Sequence, residues 1–379
     1  MDTWQRHQHI YHLFQMTMAQ PICQKFNMTH EDIHVDGPIL LVPNHVCAWD
    51  PLLVSISLRD KQIYFVASEH LFRLGFVSNV IDYLVAPIPR RKASTGMDAV
   101  KACLRHLKAG HSVCVFAEGE QCWAGQNNPI FPATGKLAKS SGATLVTYRL
   151  EGGYLSLPRW GKGIRRGRVH GHPVGIYPPE VLQTMTAEEV NDLINRDIYE
   201  DAWERQRQEP IPYRGKNRAE GMDRAVFLCP RCRRIGTLRT KGNRIFCSCG
   251  LDLEYLETGF YRPDQPFSEI AEWDAWQKEA LRSRDFTREG PDGLLFSDGG
   301  VSLYRVGAGH QEELLGSGVL QQYEDRLECA GFRFPLKDIS NMAEVLAARL
   351  LLSARGEYYE IRSKTDLCFR KYLEVWREK

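Results

Sequence analysis

The 379-residue sequence contains no run of about 18 consecutive apolar residues, which argues against a membrane-spanning helix. Its first twenty residues include His, Gln and Arg and lack the continuous apolar stretch of a secretory leader. There is no excess of charge of one sign: 49 Lys and Arg face 47 Asp and Glu, a net charge of +2, so any polyanion binding must rest on local clusters. Internal repeats and low-complexity segments are absent, which excludes solenoids and long disordered tails. Eleven cysteines, an odd number without a leader, point to a reducing compartment rather than a disulfide framework. The remaining composition, 43% hydrophobic and 25% charged, is that of a globular protein of two or three domains.

The densest signal is Asn44-His45-Val46-Cys47-Ala48-Trp49-Asp50-Pro51. It follows the apolar run 39–42, which reads as a buried strand running into a loop. Asp50-Pro51 reads as a helix start, with Asp50 as N-cap and Pro51 at the first helical position. His45 at the strand end and Asp50 at the helix start can then converge, and an imidazole held by a carboxylate takes a proton from a hydroxyl near neutral pH. A loop histidine beside an ordinary capping aspartate is the competing interpretation.

The first 200 residues alternate strand-like and helix-like patterns, an α/β fold. Strands are expected over 39–42, 63–67, 113–117 and 144–148, and a helix over 95–108 closed by Gly110. The run 113–117 ends at Glu118-Gly119-Glu120, placing a carboxylate and a glycine at a strand end where α/β sites form. Pro87-Ile88-Pro89-Arg90-Arg91-Lys92 is a stiff apolar turn delivering three cations, suited to an anion.

In order and spacing these segments resemble the four blocks of the glycerophospholipid acyltransferases of the 1-acylglycerol-3-phosphate acyltransferase type, over roughly residues 30–180. His45 and Asp50 match the His-x4-Asp block. Residues 87–91 match the apolar turn ending in arginine, with Arg91 the better-aligned cation and Arg90 the alternative. Phe116-Ala117-Glu118-Gly119-Glu120-Gln121 stands where the family has Phe-Pro-Glu-Gly-Thr-Arg. Residues 131–135 and 145–148 loosely match the fourth block. The resemblance implies that His45 is the general base on an acceptor hydroxyl and that Asp50 orients it. It further implies that Asn44, Glu118 and Gly119 shape the acceptor site and that Arg90 or Arg91 pairs with its phosphate. The acyl donor would be acyl-CoA or an acyl carrier protein thioester, and the acceptor lysophosphatidate or a related lysophospholipid. The departure matters: Glu120 and Gln121 cannot reproduce a bidentate Arg–phosphate pair. That keeps a non-phosphate acceptor, or a silent scaffold, in view. Cys47 is expected to be a packed small residue rather than a nucleophile.

Several features bear on partners. Trp4, Tyr11, Phe14 and Met18 form a helical stripe over residues 3–20, ended by Pro21, which either docks on the core or lies on a membrane. Residues 159–168 hold five cations around Trp160 and suit an anionic membrane surface, an acyl carrier protein, nucleic acid least of all, or solvent alone. A peripheral position on the inner face of a membrane, in the cytoplasm, is expected.

After a linker-like Glu209-Pro210-Ile211-Pro212 the chain changes character. Cys229-x2-Cys232 and Cys247-x-Cys249 offer four thiolates for a structural zinc ribbon, with disulfides the alternative. Residues 263–290 read as helical. From about 295, short β-like runs with turns at 323–326 and 355–356 lead to a terminal helix with Phe369, Tyr372, Leu373 and Trp376 on its apolar face, resembling a pleckstrin-homology or GRAM-like barrel. The expected organisation is an acyltransferase domain (1–215), a zinc ribbon (225–262) and a β-rich domain (295–379).

Overall fold

The computed structural model describes residues 3–59, 61–69, 72, 76–90, 96–290, 292–307, 311–345 and 349–378. The chain opens with helices α1 (Thr3–Thr17) and α2 (Ala19–Phe26) and a short strand β1 (Met28–His30). Strand–helix steps follow: β2 (Ile39–Pro43) and α3 (Asp50–Ile56), β3 (Ile63–Ser68) and α4 (Phe76–Val85), β4 (Ile88–Arg90) and α5 (Met97–Lys108), β5 (Ser112–Cys114) and α6 (Ala133–Ser141). β6 (Thr144–Glu151), the single turn α7 (Gly153–Ser156) and β7 (Val169–Tyr177) complete the sheet, followed by α8 (Pro179–Gln183), α9 (Ala187–Ile198) and α10 (Ala202–Gln208).

The sheet order is β1-β7-β6-β2-β5-β3-β4, parallel throughout except where β6 meets β7. β2 lies near its centre and is buried along its whole length, as its unbroken apolar run requires of a strand covered on both faces. β5 is shorter than the expected 113–117. Val115 still donates to Leu41 O at 2.9 Å, and then the chain leaves the ladder to build the loop that carries Glu118. The expected helix over 95–108 begins at Met97, after Gly96 in the left-handed region, while Thr95 lies outside the described residues.

The N-terminal stripe is docked along its first half. His7 is buried, and the Tyr11 hydroxyl donates to Ser55 O at 2.8 Å. Pro21 does not end that helix. α1 stops at Thr17, and Pro21 sits in the first turn of α2, where a missing N–H costs nothing.

The ribbon is three antiparallel strands, β8 (Leu238–Lys241), β9 (Arg244–Cys247) and β10 (Asp252–Glu254), in the order β10-β9-β8. The helix expected over 263–290 is confined to α11 (Ile270–Arg282). Pro263 and Pro266 lack the donors to extend it backwards, and Arg284 adopts φ 57° just beyond its end. Seven antiparallel strands follow: β11 (Leu294–Val306), β12 (Glu312–Tyr323), β13 (Arg326–Cys329), β14 (Phe332–Pro335), β15 (Ile339–Val345), β16 (Arg349–Ala354) and β17 (Glu357–Ser363). Their order, β14-β13-β12-β11-β17-β16-β15, pairs the first strand with the last, and turns fall at 323–326 and 355–356. The closing helix α12 (Arg370–Arg377) is preceded by Phe369, which is buried together with Tyr372 and Leu373.

These parts are packed together rather than strung out. The linker-like segment is docked: Tyr213 is buried, and Arg166 and Arg214 exchange backbone hydrogen bonds of 2.8 and 3.0 Å. Trp160 is fully buried, edge-on to Tyr255 of the ribbon at 5.9 Å, so it cannot face a bilayer. The cations around it are largely consumed internally. Arg165 is buried against the Trp160 and Tyr255 rings, Lys162 pairs with Asp366 at 2.8 Å, and Arg168 pairs with Glu209 at 2.6 Å. The basic run therefore offers a partner much less charge than its sequence suggests, because its counterions arrive from distant segments.

Candidate active site

β2 and β5 are parallel neighbours, so the loops leaving their carboxyl ends emerge side by side. The first loop carries His45 and curls around the Asp50 carboxylate. His45 Nδ1 lies 2.7 Å from Asp50 Oδ2, which also accepts from Val46 N at 2.6 Å and Cys47 N at 3.0 Å. Asp50 is thus not the N-cap that its sequence position suggests. It is the first residue of α3, and its carboxylate turns back onto the preceding loop instead of onto its own helix. Fully buried and surrounded by donors, it fixes the tautomer: Nδ1 carries the proton, and Nε2 is left as an acceptor. The imidazole stacks on Phe116 at 4.4 Å, and Phe116 in turn stacks on Phe65 at 6.4 Å.

The second loop grips the first. Glu118 Oε1 accepts from His45 N at 2.8 Å and Asn127 Nδ2 at 2.7 Å, Oε2 accepts from Asn128 N at 2.7 Å, and Cys122 N donates to His45 O at 3.1 Å. Glu118 thereby buttresses the His45 backbone. Burial pushes its pKa up to about 8 despite the three donors. With the folded pKa above the ordinary 4.5, the folded state holds the proton more tightly. This stabilisation is complete below about pH 4.5 and is lost as pH rises through about 8. Thermal stability is accordingly expected to fall between about pH 5 and 8 less steeply in Glu118→Gln than in the native chain; parallel pH profiles would refute this.

Gly119 adopts φ +75°, and a Cβ there would run into the Phe131 ring, so only glycine fits comfortably. Arg90 lies over Phe131, 4.2 Å from the ring centre, with its guanidinium beside Gly119. Arg90 is therefore brought to the loop, whereas Arg91 lies outside the described residues. Asn44 is corrected by its placement. It is fully buried, its Nδ2 donates to Leu150 O at 3.0 Å and its Oδ1 accepts from Leu150 N at 2.7 Å. It clips β2 to β6 and leaves no amide group for a substrate. Cys47 is buried, and burial foremost, with Asp50 beside it, raises its thiol pKa well above normal, which suits packing and not nucleophilic attack.

Residues 25–151 match the Acyltransferase family. The chain carries an acyltransferase domain. The dyad, Arg90 and the Glu118 loop all lie inside that stretch. Among solved structures the chain is similar to the 1-acyl-sn-glycerophosphate acyltransferase PlsC of Thermotoga maritima, at 18% identity and a TM-score of 0.43, over 52% of this chain and 81% of that one. The acyltransferase domain also uses residues that sequence reasoning passed over. Asn127 and Asn128 sit in an unpatterned loop, and only their spacing of nine and ten residues from Glu118 hints at a turn back to it.

Outside the acyltransferase domain, the four ribbon cysteines converge. Their Sγ atoms all lie within 4.8 Å of one another, with Cys229–Cys249 at 3.6 Å and Cys232–Cys247 at 3.8 Å. The short Cys247-x-Cys249 spacing is accommodated by Gly250 at φ +91°. Edges of about 3.8 Å are those of a tetrahedron of thiolates around zinc, so the donor set fits that ion.

Proposed function

We propose that the chain transfers a fatty acyl group from an acyl-CoA or acyl carrier protein thioester to the hydroxyl of lysophosphatidate or a related lysophospholipid. The observation that carries this reading is the His45–Asp50 contact of 2.7 Å at the carboxyl end of β2, with the Glu118 loop holding the same histidine by its backbone. His45 Nε2 takes the proton of the acceptor hydroxyl as its oxygen attacks the thioester carbonyl. Asp50 holds the imidazole and stabilises it once charged, and the proton passes to the departing thiolate. Arg90, beside Gly119, supplies positive charge for the acceptor phosphate, with Arg91 as the further candidate. The four ribbon thiolates would hold a zinc ion, and four cysteine ligands would leave it no open position for chemistry, so its role would be structural.

No helix among the described residues is long and apolar enough to cross a membrane. A lipid surface is supported instead by exposed apolar side chains: Leu13 and Met16 near the end of α1 and Met18 just after it, with Phe76, Tyr83 and Val85 on α4. The test is thioester release across a panel of acceptors presented on vesicles. Lysophosphatidate is expected to outpace acceptors lacking a phosphate. Turnover confined to a non-phosphate alcohol or amine would overturn the substrate assignment and favour the alternative that Glu120 and Gln121 keep open.

A further inference from the structure

We propose that the terminal helix completes this site, with Arg377 and Arg159 as positioning residues that hold the loop 118–121 through Glu120. The inference rests on the acyl-transfer reading above and adds to it a part lying outside residues 25–151.

Glu120 stands where the family pattern has a hydroxyl residue, and its carboxylate is divided between two arginines. Oε2 meets Arg159 at 2.7 Å, and Oε1 meets Arg377 at 2.7 Å, across 257 residues of sequence. Burial alone would raise the Glu120 pKa, but these two guanidiniums outweigh it and hold the carboxyl well below the usual range. Arg159 also donates to Gln121 O at 3.1 Å and lies over the Trp123 ring at 4.1 Å. Arg370 lies 5.0 Å from the centre of the same ring.

Arg370 and Arg377 are seven residues apart, two turns of α12, and so share one face. Glu374 lies between them and accepts from both, at 3.4 and 3.1 Å. Arg370 is buried and tied to Asp274 of α11 at 2.7 Å, which anchors the helix from behind. The same loop that α12 grips at Glu120 and Trp123 holds His45 at Glu118 and Cys122. A continuous set of contacts therefore runs from the C-terminal helix to the dyad. It gives the acid at position 120 a physical reason: the carboxylate fastens the loop to the rest of the chain.

The experiment uses the full chain with Glu120→Gln, Arg377→Gln, the double variant and Arg377→Lys, measuring kcat and the KM of donor and acceptor separately alongside thermal unfolding. Each glutamine variant is expected to lower kcat/KM for the acceptor by about 10–100-fold, the scale of a loop misplaced by about 1 Å, with the donor KM unchanged. The double variant is expected to be no worse than Glu120→Gln, because both act through one contact, and Arg377→Lys to recover part of the loss. Native acceptor kinetics in Arg377→Gln, a lowered unfolding temperature with no acceptor effect, or penalties that multiply in the double variant would each overturn the proposal. His45→Ala in parallel separates the two levels. If it stays active, the His45 general-base mechanism fails. If it is silent while Arg377→Gln is native, only this inference fails.

Discussion

Replacing His45 with alanine is expected to abolish thioester consumption while leaving the fold intact. The imidazole is partly exposed, and its aromatic contact with Phe116 is the main packing it would lose. A positioned general base contributes about 10²–10⁴-fold, and among the described histidines that pair with a carboxylate His45 is the one whose partner is fully buried. Asp50→Asn is the sharper companion. The present carboxylate serves three donors, the His45 ring and the Val46 and Cys47 backbone amides. An asparagine offers one acceptor oxygen and turns an NH2 group toward at least one of those donors. Loss of the tautomer control is expected to reduce turnover by about 10²–10⁴-fold. A buried donor left unmatched is expected to cost about 1–3 kcal/mol of stability, which His45→Ala should not show. Thiol release under saturating donor, paired with thermal unfolding, measures both effects. Near-native turnover in His45→Ala would sink the mechanism.

Metal removal is expected to have the largest effect on stability. Metal analysis of the purified chain should find one zinc ion per molecule, and Cys247→Ser should lose it. Structural zinc contributes on the order of 10 kcal/mol to a module of this kind. The consequence should not stay local. One hydrophobic core runs from Leu41 and Val46 beside the dyad through Trp160 to Tyr255, Ile245 and Cys247 of the ribbon. Chelation is therefore expected to lower the unfolding temperature of the acyltransferase domain as well, and to reduce activity although the zinc lies outside the catalytic contacts. A chain purified without metal, unaffected by a strong chelator, or carrying a disulfide among these cysteines by mass spectrometry would refute the assignment.

Local signals in the sequence were enough for the strands at the sheet centre, because 39–42 and 144–148 are buried on both faces and need no partner to be recognised as apolar runs. The same holds for the His45–Asp50 spacing and for the cysteine pairs, whose chemistry is carried by residue type. Where the reading departed from the structure, the deciding contact came from far away in the chain at Asn44 and Trp160 and from the adjoining loop at Asp50. Asp50 resembled an N-cap because its neighbours suit one, yet the curled loop before it supplied better donors. Asn44 resembled a site residue because it adjoins His45, but Leu150, 106 residues on, claims both ends of its amide. Trp160 and its cations resembled a membrane patch until the ribbon covered them.

The sequence by itself determined which side chains can do chemistry and which stretches form the central strands, since propensity, periodicity and residue type are local properties. The tertiary structure alone decided which of those groups are free to act. Glu120 is the clearest case. In sequence it is only an acid where a hydroxyl residue would be expected. In the fold it is neutralised by Arg159 and by Arg377 from the last turn of the chain. A charge acquires its role from the counterion that burial forces upon it, and that counterion is chosen by packing across hundreds of residues.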